Sequence, residues 1–111
     1  MLAKEYTPVN IYELMPNYYH QKFYYGKATV FEYVDNDGAL AILLKSYNTI
    51  VLAIIDGELY DTWGGYTNTT GRHIAEFTYK FTDRAYGKKD IDALPYKSVT
   101  VDYNNRIHFN E

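Results

Sequence analysis

The sequence contains no cysteine, and this absence excludes several classes of function. Disulfide scaffolds, thiolate zinc sites, iron–sulfur clusters and thiol catalysis all require cysteine side chains. Long apolar runs are also missing: the longest is Ile50–Ile55, whereas a helix needs about 20 apolar residues to span a bilayer. The first residues lack the apolar segment of a secretory signal. These absences predict a soluble protein of the cytoplasm.

Charge of either sign is present only in moderation. There are 14 acidic and 11 basic residues, for a net charge of −3. Nonspecific binding to nucleic acid needs clustered Lys and Arg, so this balance disfavours it. His20, His73 and His108 are far apart in the sequence, and their spacing supports no metal site. Neither a metal nor any other cofactor is expected.

Tyrosine is abundant by contrast, with 14 residues in a chain of 111. Its side chain offers rigid contact area with a polar tip, and it is enriched where proteins meet their partners. A preference for strands explains part of this excess. It does not explain the crowding between residues 18 and 25, a segment that contains Tyr18, Tyr19, Tyr24 and Tyr25. These four side chains are candidate binding residues.

Turn signals divide the first half of the chain into an arm and a four-stranded meander. Residues 1–22 are predicted to be an irregular arm in which Asn10 caps one helical turn that Pro16 ends. The meander is predicted over residues 23–63, where aromatic and β-branched residues alternate with Gly, Asn and Asp. The three turns are expected at Asp35–Gly38, Asn48–Thr49 and Asp56–Gly57.

The two middle strands of this meander are apolar at nearly every position. A strand with one wet face would alternate, whereas Leu40–Leu44 and Ile50–Ile55 do not. Both faces of the sheet must therefore be covered. We expect the arm and the C-terminal segment to supply the second cover within a monomer, and a homodimer is the alternative.

One main helix is predicted over residues 69–85, with Thr69 or Thr70 as its N-cap. Apolar residues at helical spacing form one stripe, made of Ile74, Phe77 and Phe81. Charged residues four apart are expected on the outer face, at Arg72, Glu76 and Lys80. A further helical turn is expected before Pro95.

The C-terminal segment is predicted to be a hairpin over residues 98–109 with its turn at Asn104–Asn105. Alternation places five residues inward, namely Val99, Val101, Tyr103, Ile107 and Phe109, and three outward, namely Ser98, Thr100 and Asp102. The whole chain is therefore predicted to be a single α+β domain over residues 1–111. In it, a twisted antiparallel sheet carries one main helix on one face.

The stretch WGGYTNTTGRHIAEF combines a strand end, two glycines and a helix start. Phosphate loops occur at such junctions, but neither GxGxxG nor GxxxxGK[ST] is present, so a purely structural turn is the favoured interpretation. The stretch still contributes four candidate binding residues, which are Trp63, Tyr66, Arg72 and His73.

A hydrolase or transferase centred on His73 is one hypothesis for the function of the protein. Catalysis would require a nucleophile and an acid within hydrogen-bond reach of the ring. Ser46, Asp61 and Glu76 are available, but no spacing selects any of them. A histidine that hydrogen-bonds a turn carbonyl at the edge of the core is the favoured interpretation, and no catalytic residue is assigned.

The segments FYYGKATV, LKSYNTIVLAIIDGELY, WGGYTNTTGRHIAEF and KKDIDALPY together resemble a family of small uncharacterised proteins. Its members occur in Firmicutes, their phages and other mobile elements. The resemblance spans residues 23 to 96, and W…TT..HI..F is its most specific part. It implies a shared fold and a mobile-element setting, and it carries over no catalytic residue.

The setting and the tyrosine excess together predict a non-enzymatic protein that binds a host protein. Inhibition of a host defence complex such as CRISPR-Cas is one form this function could take. The alternative is a module for single-stranded nucleic acid, in which Trp63 and the tyrosines of residues 18–25 stack on bases. Lys22 and Lys27, which flank these aromatics, would then contact phosphates.

Overall fold

Five strands of the computed structural model form one antiparallel sheet, ordered as in the chain. The structure describes residues 5–15 and 27–110, so Tyr18, Tyr19, Tyr24, Tyr25 and the expected order of their segment lie outside it. The sheet consists of β1 (Tyr6–Glu13), β2 (Ala28–Asp35), β3 (Leu40–Ser46), β4 (Thr49–Ile55) and β5 (Glu58–Asp61). The helices are α1 (Asn68–Phe81) and α2 (Lys88–Asp92), and β6 (Ser98–Val101) pairs with β7 (Ile107–Asn110). The predicted α+β class is confirmed.

Two of the three predicted turns of the meander lie where the sequence indicates. After β2, Gly38 at φ +88° closes a turn whose first residue, Asp35, accepts backbone hydrogen bonds from Asp37 and Ala39 at 2.8 Å through Oδ1. Asp56 and Gly57 both have positive φ, at 53° and 82°, as a type I′ turn requires. The turn between β3 and β4 lies one residue earlier than the predicted Asn48–Thr49. Because Ser46 pairs with Thr49, the two central residues of this turn are Tyr47 and Asn48.

The prediction of an irregular arm with a helical turn at Asn10 is wrong for the described residues. Residues 6 to 13 form β1, which pairs along its length with β2. A single isolated helical turn is costly to nucleate, whereas pairing with β2 satisfies the backbone groups of the segment directly. The register shifts between Pro8 and Asn10, where Val9 is an extra residue. This bulge disguises the strand in the sequence.

One face of the sheet packs against α1. The buried side chains on this side include Val30, Leu44 and Leu52 from the strands and Ile74 and Phe77 from the helix. A second bulge in β4 contributes to this packing: the register shifts beside Lys45, and the consecutive residues Val51 and Leu52 both join this cluster. The apolar stripe predicted for the helix is thereby confirmed at its two buried positions.

The opposite face is covered by the hairpin of β6 and β7. Phe31, Tyr33 and Leu43 are buried there beneath Val99, and Val101 and Ile107 pack against the same cluster. The prediction that the middle strands are covered on both faces is confirmed. The hairpin forms a separate two-stranded sheet. The residues leading into it are joined to the end of β5, because the Asp61 amide donates to the Pro95 carbonyl and the Lys97 amide donates to the Asp61 carbonyl, each at 3.0 Å.

Helix α1 differs from its prediction at both ends and on its outer face. Thr67 is the N-cap, because its Oγ1 accepts a hydrogen bond from the Thr70 amide at 3.1 Å, and the helix ends at Phe81. Glu76, predicted to face solvent, is only 1% exposed. Ala75 is buried as well, so the helix is covered on more than its sheet-facing side. The predicted short helix before Pro95 is present as α2.

The hairpin loop also differs from its prediction. The Asn105 amide donates to the Asp102 carbonyl at 2.9 Å, and the Asp102 amide donates to the Arg106 carbonyl at 3.0 Å. With Asn105 at φ 64°, this is a type I turn followed by one left-handed residue, not a two-residue turn. Tyr103 therefore lies at the tip and is 94% exposed, so its predicted inward orientation is wrong. Phe109 is partly exposed and packs edge-on against Tyr6.

Candidate functional site

The junction between β5 and α1 is a turn built around Asp61. The carboxylate Oδ1 of Asp61 accepts hydrogen bonds from the Trp63 amide at 3.1 Å and from the Gly64 amide at 3.0 Å. Gly64 has φ +81°, a conformation that glycine adopts without strain. A Cβ at Gly65 would overlap the Trp63 ring. Local geometry thus accounts for both glycines, as the sequence favours, and the turn occupies the Asp61 carboxylate, one of the candidate partners for His73.

The aromatic candidates of this stretch are packed against the core. Trp63 and Tyr66 are both half-buried and contact the cluster beneath α1. The phenol of Tyr66 lies so close to Gly71 that a Cβ at that position would overlap it. Arg72 is half-buried on the second turn of α1. The structure therefore gives Trp63 and Tyr66 a packing role in addition to any contact with a partner.

His73 and Ser46, which the sequence could not pair, are brought into direct contact. Ser46 Oγ lies 2.7 Å from His73 Nδ1 and 3.0 Å from Thr70 Oγ1. The Tyr47 ring centroid is 5.9 Å from that of His73. Ser46, Thr70 and His73 are all buried, and His73 is only 1% exposed. This cluster joins the end of β3 to the first two turns of α1.

A serine in contact with an imidazole is one element of nucleophilic catalysis. Burial lowers the pKa of His73, so the ring is held in the neutral form that could accept a proton. Ser46, Thr70 and Trp63 also line a shallow cavity of about 360 Å³. However, Ser46 Oγ itself is enclosed between His73 and Thr70, and the side chain is 3% exposed. The geometry fits a polar link within the core better than an accessible nucleophile.

Other titratable groups lie apart from this cluster. In the hairpin, His108 Nε2 is 2.7 Å from Asp102 Oδ2, and this hydrogen bond lowers the pKa of Asp102. Within residues 5–15 and 27–110, no group of three or more His, Asp or Glu side chains is arranged to hold a metal ion. No helix in the described part of the chain is long and apolar enough to cross a membrane.

The sequence prediction missed a set of exposed aliphatic side chains on the first strand. Val9 is 58% exposed and Ile11 42% exposed, and Met15, 48% exposed, lies two residues beyond the end of the strand. We term the outer side of the chain from Val9 to Met15 the β1 edge. The alternation of Thr7, Val9 and Ile11 was the available signal, but Pro8 and Pro16 favoured an irregular interpretation. Elsewhere in the described part of the chain, four exposed tyrosines are scattered, at Tyr47, Tyr79, Tyr96 and Tyr103.

The model of DUF8033, a family of unknown function, matches residues 12–93, which is more than half of the chain. The chain belongs to DUF8033. The matched region runs from the end of β1 to the end of α2, so it contains the Ser46–His73 pair, strands β2 to β5 and both helices. The hairpin of β6 and β7 lies outside the match. No curated protein and no solved structure matches the chain.

Proposed function

We propose that this DUF8033 member is a non-enzymatic binding protein of phage or mobile-element origin that occupies the surface of a host protein. It acts in the cytoplasm of the host cell, and a defence complex such as a CRISPR effector is the expected class of target. The mobile-element setting rests on the sequence resemblance to small proteins of Firmicutes and their phages.

The observation that carries the proposal is the exposure of aliphatic side chains along the β1 edge. Val9 and Ile11 are large apolar residues with about half of their surface in water, and Met15 continues the same edge. Exposed apolar side chains along one strand edge favour an interaction site, because burying them against a partner is favourable. Unpaired strand edges additionally offer backbone hydrogen bonds to a partner.

A hydrolase is less well supported by the same geometry. The contact between Ser46 and His73 is enclosed in the core: although Ser46 is among the residues that line the shallow cavity, its Oγ lies between His73 and Thr70 and the residue is only 3% exposed. An acyl-transfer enzyme needs its nucleophile open to substrate. We therefore assign Ser46 and His73 to the scaffold, and the binding surface to the β1 edge.

Affinity purification from the host of origin tests the proposal. The tagged chain is expressed with and without CRISPR components, and co-purifying proteins are quantified by mass spectrometry. We expect one host protein or complex to be enriched by the wild-type chain. The variant Met15→Asp should lose that enrichment, and Leu40→Asp should retain it, because Leu40 is similarly exposed (55%, against 48% for Met15) but lies on β3. Recovery of the same background proteins by all three baits would refute protein binding.

A further inference from the structure

We infer that the β1 edge binds its partner by strand addition, taking an extended segment that carries a basic side chain between two apolar ones. This inference rests on the proposed function and names the surface, the docking mode and the chemistry of the segment. Strand addition gives affinity through backbone hydrogen bonds and specificity through alternate side chains.

The backbone of β1 presents donors and acceptors outward at defined positions. The Leu14 amide donates to the Ala28 carbonyl at 2.9 Å, so Leu14 points its hydrogen-bonding groups towards β2. The direction of the backbone N–H and C=O groups alternates along an antiparallel strand. The backbone groups of Tyr12 therefore also face β2, whereas those of Ile11 and Glu13 face away from it. Among the described residues β1 pairs only with β2. The outer groups of Ile11 and Glu13 are positioned to hydrogen-bond an added strand.

The side chains of the same two residues define what the added strand must carry. Ile11 and Glu13 are two apart, so they share one face of the strand, and both are exposed. Met15, also exposed, lies two residues further along. The pattern on the β1 edge is therefore apolar, acidic, apolar. A complementary segment places apolar side chains opposite Ile11 and Met15 and a Lys or Arg opposite Glu13.

The N-terminal half of the strand is closed to this mode of binding. Pro8 lacks an amide hydrogen, and the bulge at Val9 interrupts the regular spacing. Natural sheets use proline and bulges to prevent unwanted edge pairing. The segment from Asn10 to Met15, which extends two residues past β1, contains neither a proline nor a bulge. The added strand is therefore confined to this segment.

A second copy of the chain fits the β1 edge poorly. Antiparallel self-pairing through the outward residues places its two-fold axis at one of four residues, from Ile11 to Leu14. An axis at Glu13 sets Glu13 against Glu13, whereas an axis at Tyr12 or at Leu14 sets it against Ile11 or Met15. An axis at Ile11 sets Glu13 against Val9, at the bulge. Like charges directly opposite each other are destabilising, and an acid opposite an aliphatic gains no ion pair. The edge thus selects a different, basic segment over itself.

Titration of the ¹⁵N-labelled full chain with a synthetic peptide tests the inference by NMR. The probe peptide has valine, lysine and valine at alternate positions with threonine between them, and the control peptide has glutamate in place of the lysine. We expect the probe to shift the amide signals of Ile11 and Glu13 and to bind up to about fivefold more tightly than the control, as one cross-strand charge pair allows. The variant Glu13→Lys should reverse this preference.

A proline variant separates edge pairing from side-chain contact. Ile11→Pro removes an outward amide hydrogen while leaving the hydrogen bonds to β2, and it should abolish binding of the probe peptide. If Ile11→Pro melts at a lower temperature than the wild type, Glu13→Pro provides the same test. Signal changes elsewhere on the chain, an unchanged preference in Glu13→Lys, or no binding of the probe would overturn the inference. If a host protein is still enriched in those cases, the proposed function stands and only the docking mode falls.

Discussion

Ser46 Oγ and His73 Nδ1 lie 2.7 Å apart across 27 positions of sequence, and the contact ties the end of β3 to the start of α1. Both residues are buried in the matched DUF8033 region. Polar pairs enclosed in this way stabilise a fold mainly because each partner would be costly to leave unsatisfied.

Loss of this hydrogen bond should measurably destabilise the protein. Ser46→Ala removes the partner of a buried ring nitrogen, and we expect the free energy of unfolding to fall by about 1–3 kcal/mol. Urea denaturation followed by circular dichroism measures the change. Ser98→Ala, at a half-buried position of the hairpin, is the control and should shift stability by about 0.5 kcal/mol or less. Equal effects of the two substitutions would contradict the structural role of Ser46.

The stability of the protein should depend on pH through His73. Burial lowers the pKa of His73 below its ordinary value of 6.5, so the unfolded chain binds a proton more readily than the folded chain. Stability is therefore fully present above pH 6.5 and falls as the pH drops towards the folded-state pKa. His73→Gln, which cannot titrate, should flatten this part of the profile. A profile that His73→Gln leaves unchanged would assign the dependence to other groups.

Removal of the Tyr33 hydroxyl should stabilise the fold. Tyr33 is fully buried beneath the hairpin, and its hydroxyl has no hydrogen-bond partner among the described residues. Burial, and secondarily the charge of Asp102, raises the pKa of Tyr33 to about 12. Tyr33→Phe relieves the cost of that oxygen, and we expect the unfolding free energy to rise by about 1–3 kcal/mol.

The matched control for this substitution is Tyr12→Phe. The Tyr12 hydroxyl donates to Glu32 Oε2 at 2.8 Å, so its loss should lower the free energy of unfolding by about 1 kcal/mol. Thermal unfolding of both variants beside the wild type provides the comparison. Destabilisation by Tyr33→Phe would show that its hydroxyl is satisfied in solution.

The first strand should contribute to stability through its C-terminal end. Leu14 is buried in the cluster under α1, and Leu14→Ala is expected to cost about 2–5 kcal/mol in unfolding free energy. Val9→Ala, on the exposed bulge, should cost about 0.5 kcal/mol or less. Deletion of residues 1–22 removes β1 and Leu14 together, and should lower the melting temperature or cause aggregation. An unchanged melting temperature after the deletion would contradict this account of β1.

Much of the fold could be predicted from sequence because its signals are local. Asp35–Gly38 and Asp56–Gly57 specify turns by chemistry, and the unbroken apolar character of β3 and β4 indicates two covered faces. Strand β1 was missed because Pro8 and the bulge at Val9 break its alternation. The sequence does not predict the burial of Glu76, because helical spacing assigns each residue to a face of the helix but does not show which faces are covered by other elements.

The candidate site was less accessible to sequence reasoning. Ser46 and His73 were each considered, but their pairing depends on the position of α1 across β3, which no spacing encodes. Trp63 and Tyr66 are candidate binding residues in the sequence, where packing of Trp63 into the core is the favoured interpretation, and both are half-buried against the core. The β1 edge was overlooked because exposure is a property of the assembled sheet, and its strand was not recognised.

Photo-cross-linking in the host cell tests the central claim, protein binding through the β1 edge, most directly. A photoreactive amino acid is placed at Met15 in one variant and at Tyr103 in another, both exposed positions, and irradiated cells are examined for larger covalent products. We predict a discrete product containing a host protein from position 15 and none from position 103. Products from position 103 alone would contradict the assignment of the surface. The absence of a product from either position would contradict protein binding itself.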